Sequence, residues 1–198
     1  MNSSIASGVN QSKNGKLLAY IASRLPNIHL RKLLKVIYLI DEEFTRHRGF
    51  PLTWFDYYAW AKGPVAPDVY GVKNGAFSKY VKAEKNRQGK WIVNSVEPHE
   101  FLIYNEMTEF SEAEIELVDK ILSECADKSA DILTEITHAS DSLWSKAVRD
   151  HHLTFEDAMT SDAPIDLSAL VSDDPVLSEV FDEAKWNMQF QAMLNSKR

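Results

Sequence analysis

Tyr57-Tyr58-Ala59-Trp60-Ala61-Lys62-Gly63-Pro64-Val65-Ala66-Pro67-Asp68-Val69-Tyr70 runs three aromatics into a Gly-Pro corner and leaves it through a second proline. Gly63 can adopt backbone angles closed to other residues, and Pro64 fixes its own φ while restricting the residue before it. The sequence therefore predicts a rigid corner that presents Trp60, Lys62 and Tyr70. Alternate residues of an extended segment face opposite ways, so Tyr57–Trp60 can pack inward and outward at once. The stretch holds no nucleophile, general base or metal-ligand set, which directs the reading toward binding.

Before the corner lies the strongest helix signal. Leu30, Leu33, Leu34, Ile37, Tyr38 and Phe44 follow a helical stripe over Leu30–His47, and Val36–Ile40 are five consecutive apolar residues. The middle of this helix is expected to be covered on most sides, and Gly49 and Pro51 end it. A short helix over Lys16–Arg24 precedes it, and another runs from Pro67-Asp68 to Asn74-Gly75. Between Tyr80 and Tyr104 the period changes. Tyr80–Glu84, Lys90–Val93 and Phe101–Tyr104 read as short strands of a small antiparallel sheet, with turns at Gly89 and Pro98.

Helices resume at Ser111, which forms a capping box with Glu114 and leads a stripe of Ile115, Val118, Ile121, Leu122 and Cys125. Further helices fall near 129–138 and 141–149. Asp174-Pro175 opens a last one with Leu177, Val180, Phe181, Ala184 and Met188 on one face. The expected class is mainly α with a small antiparallel β-sheet (α+β) and an extra C-terminal helix. The chain is read as a flexible lead (1–13), one domain (14–155), and a linker plus C-terminal helix (156–198), with the linker itself at 159–173.

The chain has 198 residues, 44% of them hydrophobic, enough to bury a real core. No apolar run approaches the roughly 18 residues of a membrane span. No signal-peptide pattern is present, and the lone Cys125 cannot pair internally, so a cytoplasmic setting is expected. The net charge of −7 hides an asymmetry: residues 1–105 carry 15 Lys/Arg against 8 Asp/Glu, whereas residues 106–183 carry 4 against 21. An acidic surface that meets a basic partner is one reading, a solvated helical face the other.

The search for chemistry returns no catalytic set, cofactor or metal. His151 and His152 are adjacent and share no helix face, and Asp41-Glu42-Glu43 point about 100° apart from one to the next. Cys125 falls on an apolar stripe and reads as a buried hydrophobe. An enzymatic reading requires Asp41 and His138 to meet in a pocket. The basic run of Lys79, Lys82, Lys85, Arg87 and Lys90, flanked by Tyr80 and Trp91, supports an alternative: a winged-helix-type DNA-binding regulator whose hairpin touches phosphates. An acidic chain without a recognition helix rich in Arg, Asn and Gln argues against nucleic acid.

Several pieces together resemble a known family. Lys35–Asp41, Gly49–Thr53, Tyr57–Trp60, Gly63-Pro64-Val65 and Tyr70 look like the Panacea domain, also called the SocA-like antitoxin domain, first noted as phage-associated. Phe110–Ile115, Ala130–His138 and Leu143-Trp144 are similar to its later helices. The resemblance spans about residues 16–149. The family often carries Gly-Asp where this chain has Trp54-Phe55. The resemblance implies an antitoxin of a bacterial or phage toxin–antitoxin pair, which neutralises a toxin encoded nearby by direct binding, in one branch as an adaptor to a Clp-type protease. Trp60, Lys62, Gly63, Pro64 and Tyr70 are the toxin-binding candidates, and no catalytic residue transfers.

Overall fold

The computed structural model describes residues 9–195. The described residues build eight α-helices and two three-stranded antiparallel sheets, an α+β arrangement. The expected lead falls largely outside the described residues, and its residues 11–13 already belong to the first helix.

Helix α1 (Gln11–Arg24) packs its buried face, including Leu17, Leu18 and Ile21, onto the first sheet. Strand β1 (Ile28–His29) then leads directly into α2 (Leu30–Arg48). Leu33, Val36, Ile37, Tyr38 and Ile40 of α2 are fully buried, as the apolar run Val36–Ile40 predicts. Each of the larger aliphatic side chains contributes about 1.5–3 kcal/mol through removal from water. Gly49 caps α2 in the left-handed region at φ 82°, and its N–H returns to Thr45 O.

Strands β2 (Tyr57–Trp60) and β3 (Gly63–Val65) form a tight hairpin in which Trp60 faces Gly63. A short helix, α3 (Pro67–Tyr70), and a 3₁₀ turn (Gly71–Asn74) lead to the second hairpin, β4 (Val81–Lys85) and β5 (Trp91–Ser95). Strand β5 pairs with both β4 and β1, so the sheet order is β1-β5-β4.

The third strand is therefore Ile28–His29 and not Phe101–Tyr104. After Pro98 the chain winds into helical turns, α4 (His99–Phe101) and its continuation to Glu109. In this segment Leu102 and Met107 face the core while Phe101, Ile103 and Tyr104 face solvent, a spacing that a strand cannot provide.

Helix α5 (Glu112–Cys125) starts at the Ser111–Glu114 capping box, with both reciprocal hydrogen bonds formed. Helices α6 (Ala130–Thr137) and α7 (Leu143–Asp150) carry serine caps at Ser129 and Ser142. Residues 159–173 hold β6 (Pro164–Ile165), which completes the second sheet in the order β3-β2-β6, and bury Ala163, Ile165, Leu167 and Val171. Helix α8 (Pro175–Asn195) begins where the Asp174 carboxylate accepts from the N–H groups of Val176 and Leu177. It docks through Phe181, whose ring lies 5.6 Å from that of Trp54. Trp186 and Phe190 stack on one another, exposed.

Candidate functional site

Lys35 lies on the buried side of α2 and is 1% exposed. Its amine donates to Pro64 O at 3.2 Å, its one acceptor among the described residues. The space it fills is the space that a side chain at position 63 would need. A Cβ built on Gly63 would stand 2.3 Å from Lys35 Nζ and 3.1 Å from His138 Nε2. Gly63 also sits at φ 103°, so glycine is required twice, by conformation and by crowding.

His138 ends α6. Its ring stacks flat on Trp144 at 3.5 Å, and Phe155 continues the stack beyond the indole at 6.1 Å. The buried Nε2 has no hydrogen-bond partner among the described residues. Trp144 Nε1 donates to Trp60 O at 2.8 Å, which ties α7 to β2. Trp60 in turn donates from Nε1 to Ser161 O and meets Tyr70 edge-on at 4.9 Å. Residues 159–163 clamp the hairpin from outside, with Ala59 N–H donating to Ala163 O and Ala61 N–H to Met159 O.

Below this junction Asp41 is wholly buried. Its carboxylate accepts from Thr53 N–H at 2.9 Å, from the Thr53 hydroxyl, and from the Tyr57 hydroxyl at 2.7 Å. Asn14 donates to Thr53 O and brings α1 into the network. Burial pushes the Asp41 carboxyl up to about 6, against the pull of these donors. Burial, with the Arg31 charge behind it, brings the Lys35 amine down to about 7. Burial, then the Lys35 and Lys62 charges, lowers His138 to about 4. The Asp41–His138 pair required by an enzymatic reading does not form. Asp41 is held by Thr53 and Tyr57, and His138 lies on Trp144.

Of the corner residues, Lys62 is exposed, Trp60 and Tyr70 are half-buried, and Gly63 and Pro64 lie beneath them, buried. Trp60, Lys62 and Tyr70 line a groove of about 930 Å³. It runs between the start of α2, the β4–β5 turn, the α5–α6 connection and Met159–Thr160. Of the basic hairpin run only Lys90 reaches it. Lys79, Lys82, Lys85 and Arg87 are exposed elsewhere, on β4 and the turns at either end of it, with Lys85 over the Trp91 ring and Lys79 over Tyr80. Gly63 and Pro64 identified the corner but not the groove, because Lys35 reads in sequence as one more position of an α2 turn.

The charge asymmetry is partly satisfied within the chain. Lys13 pairs with Glu114, Lys16 with Glu106 and Glu109, Arg24 with Asp119, and Arg31 with Asp131. In each pair a cation of the first half meets an acid of the second. Individually such partly exposed pairs contribute little, but their common direction aligns the two halves. Among the described residues, no cluster of three or more His, Cys, Asp or Glu could hold a metal ion. No described helix is long and apolar enough to cross a membrane.

The residues joined here are those that carry the resemblance, and a family model bears it out: the model described as "Antitoxin SocA-like, Panacea domain" matches residues 33–145, more than half of the chain. The chain belongs to the SocA-like Panacea family. No curated protein and no solved structure matches it. Within the Panacea match, Lys35, Trp60, Gly63, His138 and Trp144 form one connected cluster, although more than 100 positions separate the first from the last, and Asp41, Thr53 and Tyr57 form a second. Trp54 stands in the left-handed region at φ 59°, at the position where the family often has glycine.

Proposed function

We propose that this chain is an antitoxin that neutralises a toxin encoded nearby by binding it directly, with the face around Trp60, Lys62 and Tyr70 as its contact surface. The observation that carries this reading is the convergence of the family's separated segments beneath one concave face. The Lys35–Gly63–His138–Trp144 cluster holds a tight hairpin whose outer residues are a Trp, a Lys and a Tyr. Half-buried aromatics on rigid supports are the usual anchors of protein interfaces. Their rotamers are already fixed by Ser161 and by each other, so little ordering entropy opposes docking. The groove is basic, so the surface of the toxin that enters it is acidic or neutral. The uncompensated acids of the second half then lie outside the contact and contribute long-range steering of a partner whose remaining surface is basic.

Co-expression with the product of the adjacent gene tests this. The reading predicts rescued growth and a co-purifying complex. Toxin abundance, followed by immunoblot, separates the two modes of neutralisation. A constant level supports occlusion, and a falling level that depends on a Clp-type protease supports hand-off. Neither rescue nor co-purification would overturn the proposal.

A further inference from the structure

We propose that the groove beside the Gly-Pro corner binds a nucleoside polyphosphate, with phosphates on its lysines and the base on its aromatic rim. Six cationic side chains line it: Arg31, Lys32, Lys35, Lys62, Lys90 and Lys128. They come from four separate places in the chain, namely the start of α2, the β2–β3 turn, the β4–β5 turn and the α5–α6 connection. The one carboxylate in the lining, Asp131, is engaged by Arg31 at 2.6 Å. Among the described residues none of the five lysines has an ion-pair partner. Lys32 and Lys128 donate only to the carbonyls of Ala126 and Glu124 at the end of α5, and Lys35 only to Pro64 O.

Four unpaired lysines around one concavity, with the Lys35 amine beneath them, favour an anion in their midst. The floor makes the same point. The Lys35 amine is buried, has a single carbonyl acceptor among the described residues, and is brought well below the ordinary lysine range by burial and then by the Arg31 charge. An oxyanion reaching the floor supplies a counter-charge.

Phosphate fits better than carboxylate. Lysine acts as a point charge suited to phosphate oxygens, whereas paired recognition of a carboxylate favours the arginine fork, and the one arginine here is already used. Volume and rim select the rest of the ligand. About 930 Å³ lies within the range of small-molecule sites, and Trp60, Tyr70 and Trp91, all half-buried, give the groove an aromatic rim against which a base can pack. This inference concerns a small molecule and does not depend on the toxin-binding reading.

Isothermal titration of the full chain at low salt, with ATP and GTP as probes, tests it. Inorganic tripolyphosphate, adenosine and a hexaglutamate peptide serve as comparators. We expect saturable binding of a nucleoside triphosphate that weakens steeply as salt rises. The exposed variant Lys62→Glu should weaken it at least tenfold, and Lys35→Met likewise. Lys79→Glu, in the turn before β4 and outside the groove, should stay within twofold. Trp91→Ala should weaken ATP more than tripolyphosphate. Absence of saturable phosphate binding overturns the proposal, as does an equal loss in Lys79→Glu, which would mark diffuse attraction. Equal affinity for tripolyphosphate and ATP overturns the base half. Tighter binding of hexaglutamate than of ATP reassigns the groove to an acidic peptide. In each case co-purification with the toxin remains a separate readout.

Discussion

Lys35 Nζ occupies the place where a Cβ on residue 63 would project, 2.3 Å from that ideal position. The Gly-Pro corner and the central helix are thus one device: the glycine exists so that the lysine can pass beneath the turn and reach Pro64 O. Gly63→Ala should destabilise the chain by about 1–3 kcal/mol, through the positive φ and through displacement of the amine. In the double variant Lys35→Ala/Gly63→Ala the steric part disappears and the conformational part remains. The two losses, read from denaturant midpoints, should therefore be less than additive. Full additivity would separate the residues.

Lys35 gives stability a pH signature. Its folded value of about 7 lies below the ordinary 10.5, so between those limits the unfolded chain holds more protons. Stability should rise with pH across that window, by at most about 1.4 kcal/mol per unit. Lys35→Met, which keeps the length and removes the charge, should flatten the slope. An unchanged slope in the variant would place its origin elsewhere.

Asp41 works in the opposite sense. Its carboxyl is raised from 3.8 to about 6, so its contribution is fully present below about 3.8 and is lost as pH rises through about 6. Tyr57→Phe removes a 2.7 Å donor to the charged form, and so should push the carboxyl higher and extend the loss toward neutrality. Carbon-13 NMR of the Asp41 carboxyl in both proteins reads the shift directly.

Tyr38 is 0% exposed, and its hydroxyl has no hydrogen-bond partner among the described residues. Deleting that oxygen removes a desolvated polar group while keeping the ring edge-on to Tyr57 at 5.2 Å. Tyr38→Phe should leave stability unchanged or raise it by up to about 1 kcal/mol in thermal unfolding. A loss above about 1 kcal/mol would contradict this.

The C-terminal helix is fastened at two points. Gly49 caps α2 and leaves room for Val180, whose Cγ1 would lie 2.9 Å from a Cβ there. Trp54 holds Phe181 from a left-handed backbone. Trp54→Gly relieves the backbone and removes the ring contact. Hydrogen exchange should therefore speed up in Leu177–Ala184 while Leu33–Ile40 stays protected. Protection unchanged across α8 would mean that Trp54 does not dock it.

Local chemistry made the helices readable. Leu30–Arg48 announces itself by its stripe and by Gly49, the Ser111–Glu114 box starts α5 where it should, and Asp174-Pro175 starts α8. The Trp60–Tyr70 corner stood out because Gly and Pro constrain the backbone wherever they occur. Pairings between distant residues left no local mark. Ile28–His29 is too short to show a period, and β6 is only Pro164–Ile165 inside a polar stretch. The helical turns after Pro98 were hidden by an apolar run that suits a strand. The groove was illegible for the same reason: its lysines come from four stretches, and although Lys62 and Lys90 stood out singly, nothing local joins them to Lys32, Lys35 and Lys128.

The central claim is that this Panacea chain acts through the face bearing Trp60, Lys62 and Tyr70. Lys62 is exposed and accepts charge reversal without touching the core. The decisive measurement is co-purification with the neighbouring toxin, scored together with growth rescue, for the unaltered chain and for Lys62→Glu and Tyr70→Ala at matched expression and melting temperature. The account predicts complex and rescue for the unaltered chain and loss of both, by at least tenfold in retained toxin, for the variants. Full retention and full rescue by both folded variants would contradict it.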